Sequence, residues 1–189
     1  ETVKKFGGNA VLTSNSHETG TDRVFEVFKK TLNSEPRIIV NLQGDMPNIS
    51  PTDIKDLINY MDKGKCDIGT LASKICSELE HNDKNVVKVF VREKLNLGMF
   101  AEALDFLRIN NRKELLAYHH VGIYAFTNKA LLRYVSLNRS KLELERKLEQ
   151  LRAMENKMSI HVGYIESSPL SVDTEKDLIE IKKIMENNE

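Results

Sequence analysis

The sequence predicts an α/β fold, a mostly parallel sheet flanked by helices, and three observations carry that prediction. Residues 38–42 are a short β-branched run of the kind that fills a strand covered on both faces, 67–72 are a second candidate of that kind, and 85–91 alternate or run apolar as a strand. Helix starts lie between and after them: Ser50-Pro51-Thr52-Asp53 puts proline at a first helical position and acid in a first turn, and Thr174 can cap a last helix. The 189 residues contain no internal repeat and no low-complexity linker, so one domain with a sizeable core accounts for the chain.

Taken in order, Glu1-Thr-Val-Lys-Lys-Phe-Gly-Gly8 reads as the last turn of a helix with its glycine stop, so the chain is expected to start inside a domain. Residues 10–13 predict a short strand and 14–20 a polar loop. Thr21 or Asp22 then caps a helix that turns Val24, Phe25, Val27 and Phe28 toward a core. Pro36 and Gly44 bound the apolar run at 38–42, predicted to be a central buried strand, and the helix that follows reaches about Asp62. Beyond the strands at 67–72 and 85–91, the stretch 95–116 is expected to leave the main sheet and pack on a partner subunit. Residues 119–126 return as a strand, and 128–135 and 142–154 predict helices, the longer one with Leu148 and Leu151 inward. A strand at 159–165 and a helix at 175–185 complete the chain.

Lys+Arg and Asp+Glu both number 28, which leaves no basic field for nucleic acid and points to a small-molecule partner. Cys66 and Cys76 have neither metal-ligand spacing nor a secretory context, so they are expected to be reduced thiols of a cytoplasmic protein. No apolar run reaches the length of a bilayer span.

The chemistry concentrates in Arg37-Ile-Ile-Val-Asn-Leu-Gln-Gly-Asp-Met-Pro47. Open α/β sheets bind ligands outside the carboxyl ends of their strands, where Gln43, Gly44 and Asp45 fall. Gly44 permits close backbone approach, Gln43 offers an amide, and Asp45 offers hard oxygens suited to magnesium; Gly-Asp is equally common turn chemistry. In His17-Glu-Thr-Gly-Thr-Asp-Arg23 a hydroxyl- and glycine-rich turn opens a helix, either as an anion-facing N-terminus or as a plain capping loop with Arg23 solvated. Lys88, inside an apolar strand, either snorkels at an edge or meets an anion. His120 and Tyr124 share one strand face with Gly122, whereas the neighbours His119 and His120 point to opposite faces and do not share a metal. Glu149 and Gln150 are polar groups beside a core-facing stripe, which a solvated helix face explains equally well. Asp173 stands, like Asp45, between a strand and a helix, as a second carboxylate for a divalent cation or as a cap.

Taken together, His17 to Arg23, Asn41-Leu-Gln-Gly-Asp-Met-Pro47, Asn85-Val-Val-Lys88, His120-Val-Gly-Ile-Tyr124, Leu148-Glu-Gln-Leu-Arg152 and Val172-Asp-Thr174 resemble the motif series of the CMP-Kdo synthetases, the 3-deoxy-manno-octulosonate cytidylyltransferases. The resemblance runs in order from Phe6 to the C-terminus. It implies a nucleotide-diphospho-sugar transferase-like sheet with a dimerisation excursion, and an enzyme that couples CMP from CTP to the acidic sugar Kdo, releasing pyrophosphate for lipopolysaccharide synthesis. It further implies that Asp45 and Asp173 bind Mg²⁺ and act at the reacting phosphate. Gly20, Thr21 and Arg23 would surround the nucleotide, Gln43 would lie between nucleotide and sugar, and His120, Tyr124, Glu149 and Gln150 would meet sugar hydroxyls. The expected assembly is a homodimer.

Three departures from the family pattern stand out. No stretch matches the family's opening strand and its arginine-, serine- and lysine-bearing triphosphate loop, so the expectation is a single nucleotidyltransferase domain over 1–189 without that portion. Phe100-Ala-Glu102 replaces Phe-Ser-Arg, an exchange expected to repel a sugar acid. Lys141 and Arg146 replace a proline and an acid and read as surface changes. Two alternatives therefore stay open: a transferase for another acidic sugar, and a nucleotide-binding remnant without turnover.

Overall fold

A computed structural model of the protein describes residues 1–31, 35–109, 112 and 114–186. Its elements are α1 (Thr2–Lys5), α2 (Gly20–Thr31), β1 (Ile38–Asn41), α3 (Pro51–Asp62), β2 (Ile68–Ser73), α4 (Glu78–Asn82), β3 (Lys88–Val91), β4 (Phe100–Glu102), β5 (Asp105–Leu107), β6 (Leu116–Thr127), α5 (Asn128–Ser136), α6 (Lys141–Arg146), α7 (Gln150–Glu155), β7 (Ile160–Tyr164) and α8 (Glu175–Glu186).

The α/β class with a helix-flanked sheet is what forms. Side chains alternate across β6 and feed two cores. Tyr118, Tyr124 and Phe126 join Leu131 and Tyr134 of α5 and Leu151 of α7, while Val121, Ile123 and Ala125 meet Leu57 and Met61 of α3. β1, β2, β3 and β7 share one direction, but among the described residues only β2 and β7 form a parallel pair. The sheet is therefore mixed, because β6 runs antiparallel between them. β1 is not the central buried strand expected: it pairs with β6 alone among the described residues, and Ile38, Ile39 and Val40 are only half-buried.

Other expectations shift for local reasons. Residues 10–13 form no strand, having no ladder partner among the described residues to take their backbone groups, and Leu12 lies exposed. Helix α2 starts at Gly20, where the Thr19 hydroxyl accepts from Asp22 N–H at 3.3 Å and donates to the Asp22 carboxylate at 2.7 Å. That reciprocal cap takes the place predicted for Thr21 or Asp22. Part of the expected excursion belongs to the sheet itself: β4 pairs with β7 and β5, two residues later, with β3. One stretch of chain thus joins the two edges and curls the sheet. The Phe100 ring anchors it, stacked on Tyr60 at 3.8 Å and seated on Gly163, where a Cβ would lie 2.5 Å from the ring.

Lys88 neither snorkels nor meets an anion. It is fully buried, and its Nζ donates to the carbonyls of Asp83 (2.5 Å), Val86 (2.8 Å) and Arg108 (3.0 Å). Burial pulls its ammonium below the ordinary lysine value, yet three carbonyls replace the water it gave up. Lys88→Met leaves those carbonyls without their donor and is expected to cost about 1 to 3 kcal/mol in urea unfolding, with faster amide exchange in 83–87. Unchanged stability and exchange would contradict this role.

Candidate active site

The site grows from a gap. Along one edge of β6, β3 pairs with Leu116 to His119 and β1 with Tyr124 to Thr127, leaving 120–123 without a strand partner. On the opposite edge the register with β2 jumps from Thr70↔Tyr124 to Leu71↔Val121, so Gly122 and Ile123 form a bulge. A cavity of about 870 Å³ opens there. Gln43 and Asp45 line it from the exit of β1, Asn85 and Val87 from the approach to β3, His120 and Gly122 from β6, and Ser171 and Asp173 from the approach to α8.

Asp45 and Asp173 are brought together. The Ser171 hydroxyl lies 3.3 Å from Asp45 Oδ2 and 3.2 Å from Asp173 Oδ2, and Val172 N–H donates to Asp45 O at 2.9 Å. Asp45 Oδ1 is buried without a hydrogen-bond partner. Two carboxylates converging around a buried, unsatisfied oxygen suit a hard cation. Among the described residues no group of three or more His, Cys, Asp and Glu side chains gathers as a ligand set, so the pair would depend on other oxygens to complete a shell. Thr174 caps α8, exchanging hydrogen bonds with Asp177, to which the Asp173 N–H also donates at 3.2 Å; the Asp173 carboxylate stays outside the cap.

A second cluster adjoins the first through Gln43. A Cβ built on Gly20 would lie 3.6 Å from Gln43 Nε2, 3.6 Å from Asn41 Nδ2 and 3.9 Å from Glu149 Oε1; one on Gly122 would lie 3.9 Å from Gln43 Cγ. Thr21 N–H donates to Glu149 Oε2 at 3.3 Å, and Thr21, Tyr124, Glu149 and Gln150 line one narrow crevice. The rings of His120 and Tyr124 lie 5.5 Å apart. Arg23 is not drawn in: it is exposed and donates to Thr13 Oγ1 and, at 3.1 Å, to Ser14 O, tying the preceding loop to α2.

Glu149 and Gln150 reach this cluster because the predicted helix at 142–154 is broken. Lys147, with φ 54°, ends α6 in the left-handed region, and α7 begins at Gln150. Arg152 clamps the break. It grips buried Glu143 of α6 in a fork, Nη2–Oε1 at 2.7 Å and Nε–Oε2 at 2.9 Å, reaches Asp22 of α2 at 3.3 Å, and lies 4.5 Å from the centre of the Tyr134 ring. Burial works to raise the Glu143 carboxyl, but Arg152, Ser140 N–H and Arg139 outweigh it and hold it below its ordinary value.

The sequence reading passed over several of these groups. Asn41, buried with Nδ2 unpartnered, was marked only by ending an apolar strand in a polar residue. Arg152 stood in a quoted motif, as an arginine beside an inward stripe. Ser171 carried no signal. Arg146 is no surface change: it donates to buried Asp105 at 2.6 Å, which Arg112 also holds at 2.9 Å. Glu102 lies exposed on β4, which is separated from β6 by β7 and β2, and it does not line the cavity. The expected repulsion of a sugar acid by Glu102 is therefore not supported.

The cytidylyltransferase family model matches residues 1–160. The 3-deoxy-manno-octulosonate cytidylyltransferase of Afipia carboxidovorans is 44% identical over 186 residues, 97% of this chain and 74% of its own. The chain belongs to the 3-deoxy-manno-octulosonate cytidylyltransferase family. The family enzyme of Rickettsia rickettsii is 41% identical over 188 residues, 98% of this chain and 75% of its own. A solved CMP:2-keto-3-deoxy-manno-octonic acid synthetase in complex with CTP superposes with a TM-score of 0.84 at 36% identity, covering 99% of this chain and 76% of that one. The 4-diphosphocytidyl-2C-methyl-D-erythritol synthase of Anaerococcus prevotii, 18% identical with a TM-score of 0.58 over 97% of this chain and 74% of its own, shares the fold.

Two consequences can be measured. Arg152→Met leaves Glu143 buried and short of its main partner, and is expected to cost about 3 to 5 kcal/mol in urea unfolding, part of which adding Glu143→Gln recovers. Strict additivity of the two would contradict the pairing. Burial raises the Glu149 carboxyl above its ordinary value, against the lowering by Thr21 N–H, so its contribution to stability is present at low pH and lost as pH rises through the folded pKa. Glu149→Gln removes that titration, and its melting temperature is expected to gain on the unaltered protein as pH rises from about 4 to 8. A difference independent of pH would count against a raised carboxyl.

Proposed function

We propose that this chain catalyses transfer of CMP from CTP to the anomeric hydroxyl of 3-deoxy-manno-octulosonate, giving CMP-Kdo and pyrophosphate for lipopolysaccharide synthesis. One observation carries the reading: in a member of this family, Asp45 and Asp173 converge at Ser171 beside the cavity, with Asp45 Oδ1 buried and unpartnered. The donor set fits Mg²⁺, which takes one or two carboxylates together with substrate phosphates. Asp45 and Asp173 would hold it, and when bound it neutralises charge on the phosphate oxygens.

The chain's own residues then position two substrates. Gly20 lets the nucleotide approach the backbone closely, Thr21 beside it holds Glu149 through its N–H, and Gln43, between Gly20 and Gly122, faces both nucleotide and sugar. His120, Tyr124, Glu149 and Gln150 meet sugar hydroxyls, and each such group left unpaired in a buried site costs about 1 to 3 kcal/mol. The anomeric oxygen attacks the α-phosphorus, the bond to pyrophosphate breaks with its electron pair going to the pyrophosphate oxygen, and the hydroxyl proton passes to solvent. Arg23 acts one step removed, by holding the loop before α2.

The same reading includes a homodimer and a cytoplasmic location, where CTP is made. Leu97, Met99 and Leu116 are exposed in the stretch expected to face a partner. Among the described residues no helix is long and apolar enough to cross a membrane.

The test is pyrophosphate release by the complete protein with CTP, Mg²⁺ and Kdo, against the same mixture without sugar. Sugar-dependent release is expected, and Asp45→Asn or Asp173→Asn should lower turnover by orders of magnitude with melting temperature little changed. Release that ignores the sugar, or full turnover in both variants, would overturn the proposal.

A further inference from the structure

Thr70 is fully buried on β2, opposite the bulge of β6. Its Oγ1 lies 2.7 Å from Ile123 O, 3.2 Å from Val121 O and 2.9 Å from His120 Nε2. A hydroxyl has one proton to give, and carbonyl oxygens only accept. Two oxygens 2.7 Å apart repel unless a hydrogen lies between them, so the Thr70 proton points to Ile123 O. Toward the imidazole, Oγ1 is then an acceptor, and Nε2 carries the hydrogen. Burial, with His119 a lesser cause, holds the His120 pKa down to about 3, so the ring is neutral and has only one N–H. Nδ1 is left with its lone pair.

The ring is also held in place. Phe106 meets it edge-on at 5.0 Å, Tyr124 lies on another side at 5.5 Å, and His120 N–H is bonded to Val87 O at 2.9 Å. His120 nevertheless lines the cavity.

We propose that Thr70 is a positioning residue that fixes His120 as the Nε2–H tautomer, so that Nδ1 accepts a hydrogen bond from a hydroxyl of the acidic sugar. The inference rests on His120 contacting the sugar, as in the proposed function, and adds the polarity of that contact. An acceptor selects a hydroxyl and disfavours a carboxylate, carbonyl or ether oxygen at the same point, since none of these carries a hydrogen.

The test uses the complete protein with ¹⁵N-labelled histidine, in which two-bond proton–nitrogen correlations separate protonated from bare ring nitrogens. His120 is assigned among the five histidines by its absence in His120→Asn. The expected spectrum shows Nε2 protonated and Nδ1 bare, with the Nδ1 signal moving when Kdo is added. Thr70→Val removes the hydroxyl and keeps the shape. It is expected to let Nδ1 take up the proton in part of the population and to raise KM for the sugar about tenfold, with KM for CTP little changed; Thr70→Ser restores both. A protonated Nδ1 in the unaltered protein, or an unchanged tautomer in Thr70→Val, overturns the proposal, and the unaltered spectrum decides the tautomer even where Thr70→Val fails to fold. The expected tautomer with an Nδ1 signal indifferent to Kdo overturns the sugar contact, and with it the part of His120 in the proposed function, while leaving the rest of that function to the pyrophosphate assay.

Discussion

Strand β6 gives one edge to β2 along most of its length and divides the other between β3 and β1, and a twelve-residue strand so divided leaves a stretch uncovered. Backbone groups in such a stretch must find partners or face a ligand. Here His120 N–H reaches Val87 O and the Thr70 hydroxyl reaches across from β2, while the space left over becomes the cavity. The rest of the site follows from this division. β1 ends beside the gap and delivers Gln43 and Asp45, and the hydrogen bond from Val172 N–H to Asp45 O fixes the approach to α8 against them.

The other wall depends on a helix that stops early. Lys147 takes a backbone conformation that costs a non-glycine residue on the order of 1 kcal/mol or more, and the surroundings must enforce it. Arg152, buried and bonded to α6 and α2 at once, does so. The result is a carboxylate, Glu149, whose burial opposes its own ionisation. Stability is given up where the chain's backbone meets its polar groups, and a rigid ion network around them keeps the arrangement single.

Much of this was legible in the residues. The buried run 67–72, the proline-led start of α3, the glycine stop near Gly7 and the cap at Thr174 all follow from local chemistry, and local chemistry is what a sequence displays. Asp45, Asp173, Gln43 and Glu149 were legible as a motif series, and the geometry brings them into two adjoining clusters. What stayed hidden depends on partners distant along the chain. Strand direction around β6 is a pairing property, invisible to apolar runs. Lys88 read as either an edge residue that snorkels or an anion ligand, because no sequence shows that three carbonyls converge on it. Thr70 and Ser171 are ordinary polar residues until the bulge and the second carboxylate are placed beside them. Glu102 misled for the complementary reason: a motif gives an identity without saying which edge of the sheet it occupies.

The joining of the two sheet edges by β4 and β5 has a consequence for biosynthesis. Among the described residues β4 finds its neighbour only in β7, some sixty positions later in the chain, and β2 waits some ninety for its parallel partner. Emerging N-terminus first, the polypeptide therefore leaves one edge of β2 and one of β4 unpaired until β7 clears the ribosome and closes both. Long-range pairing of this kind folds slowly, and an unpaired edge is a template for neighbouring chains. The finished sheet has those two edges paired, and the nascent one depends on whatever shields them in the interval.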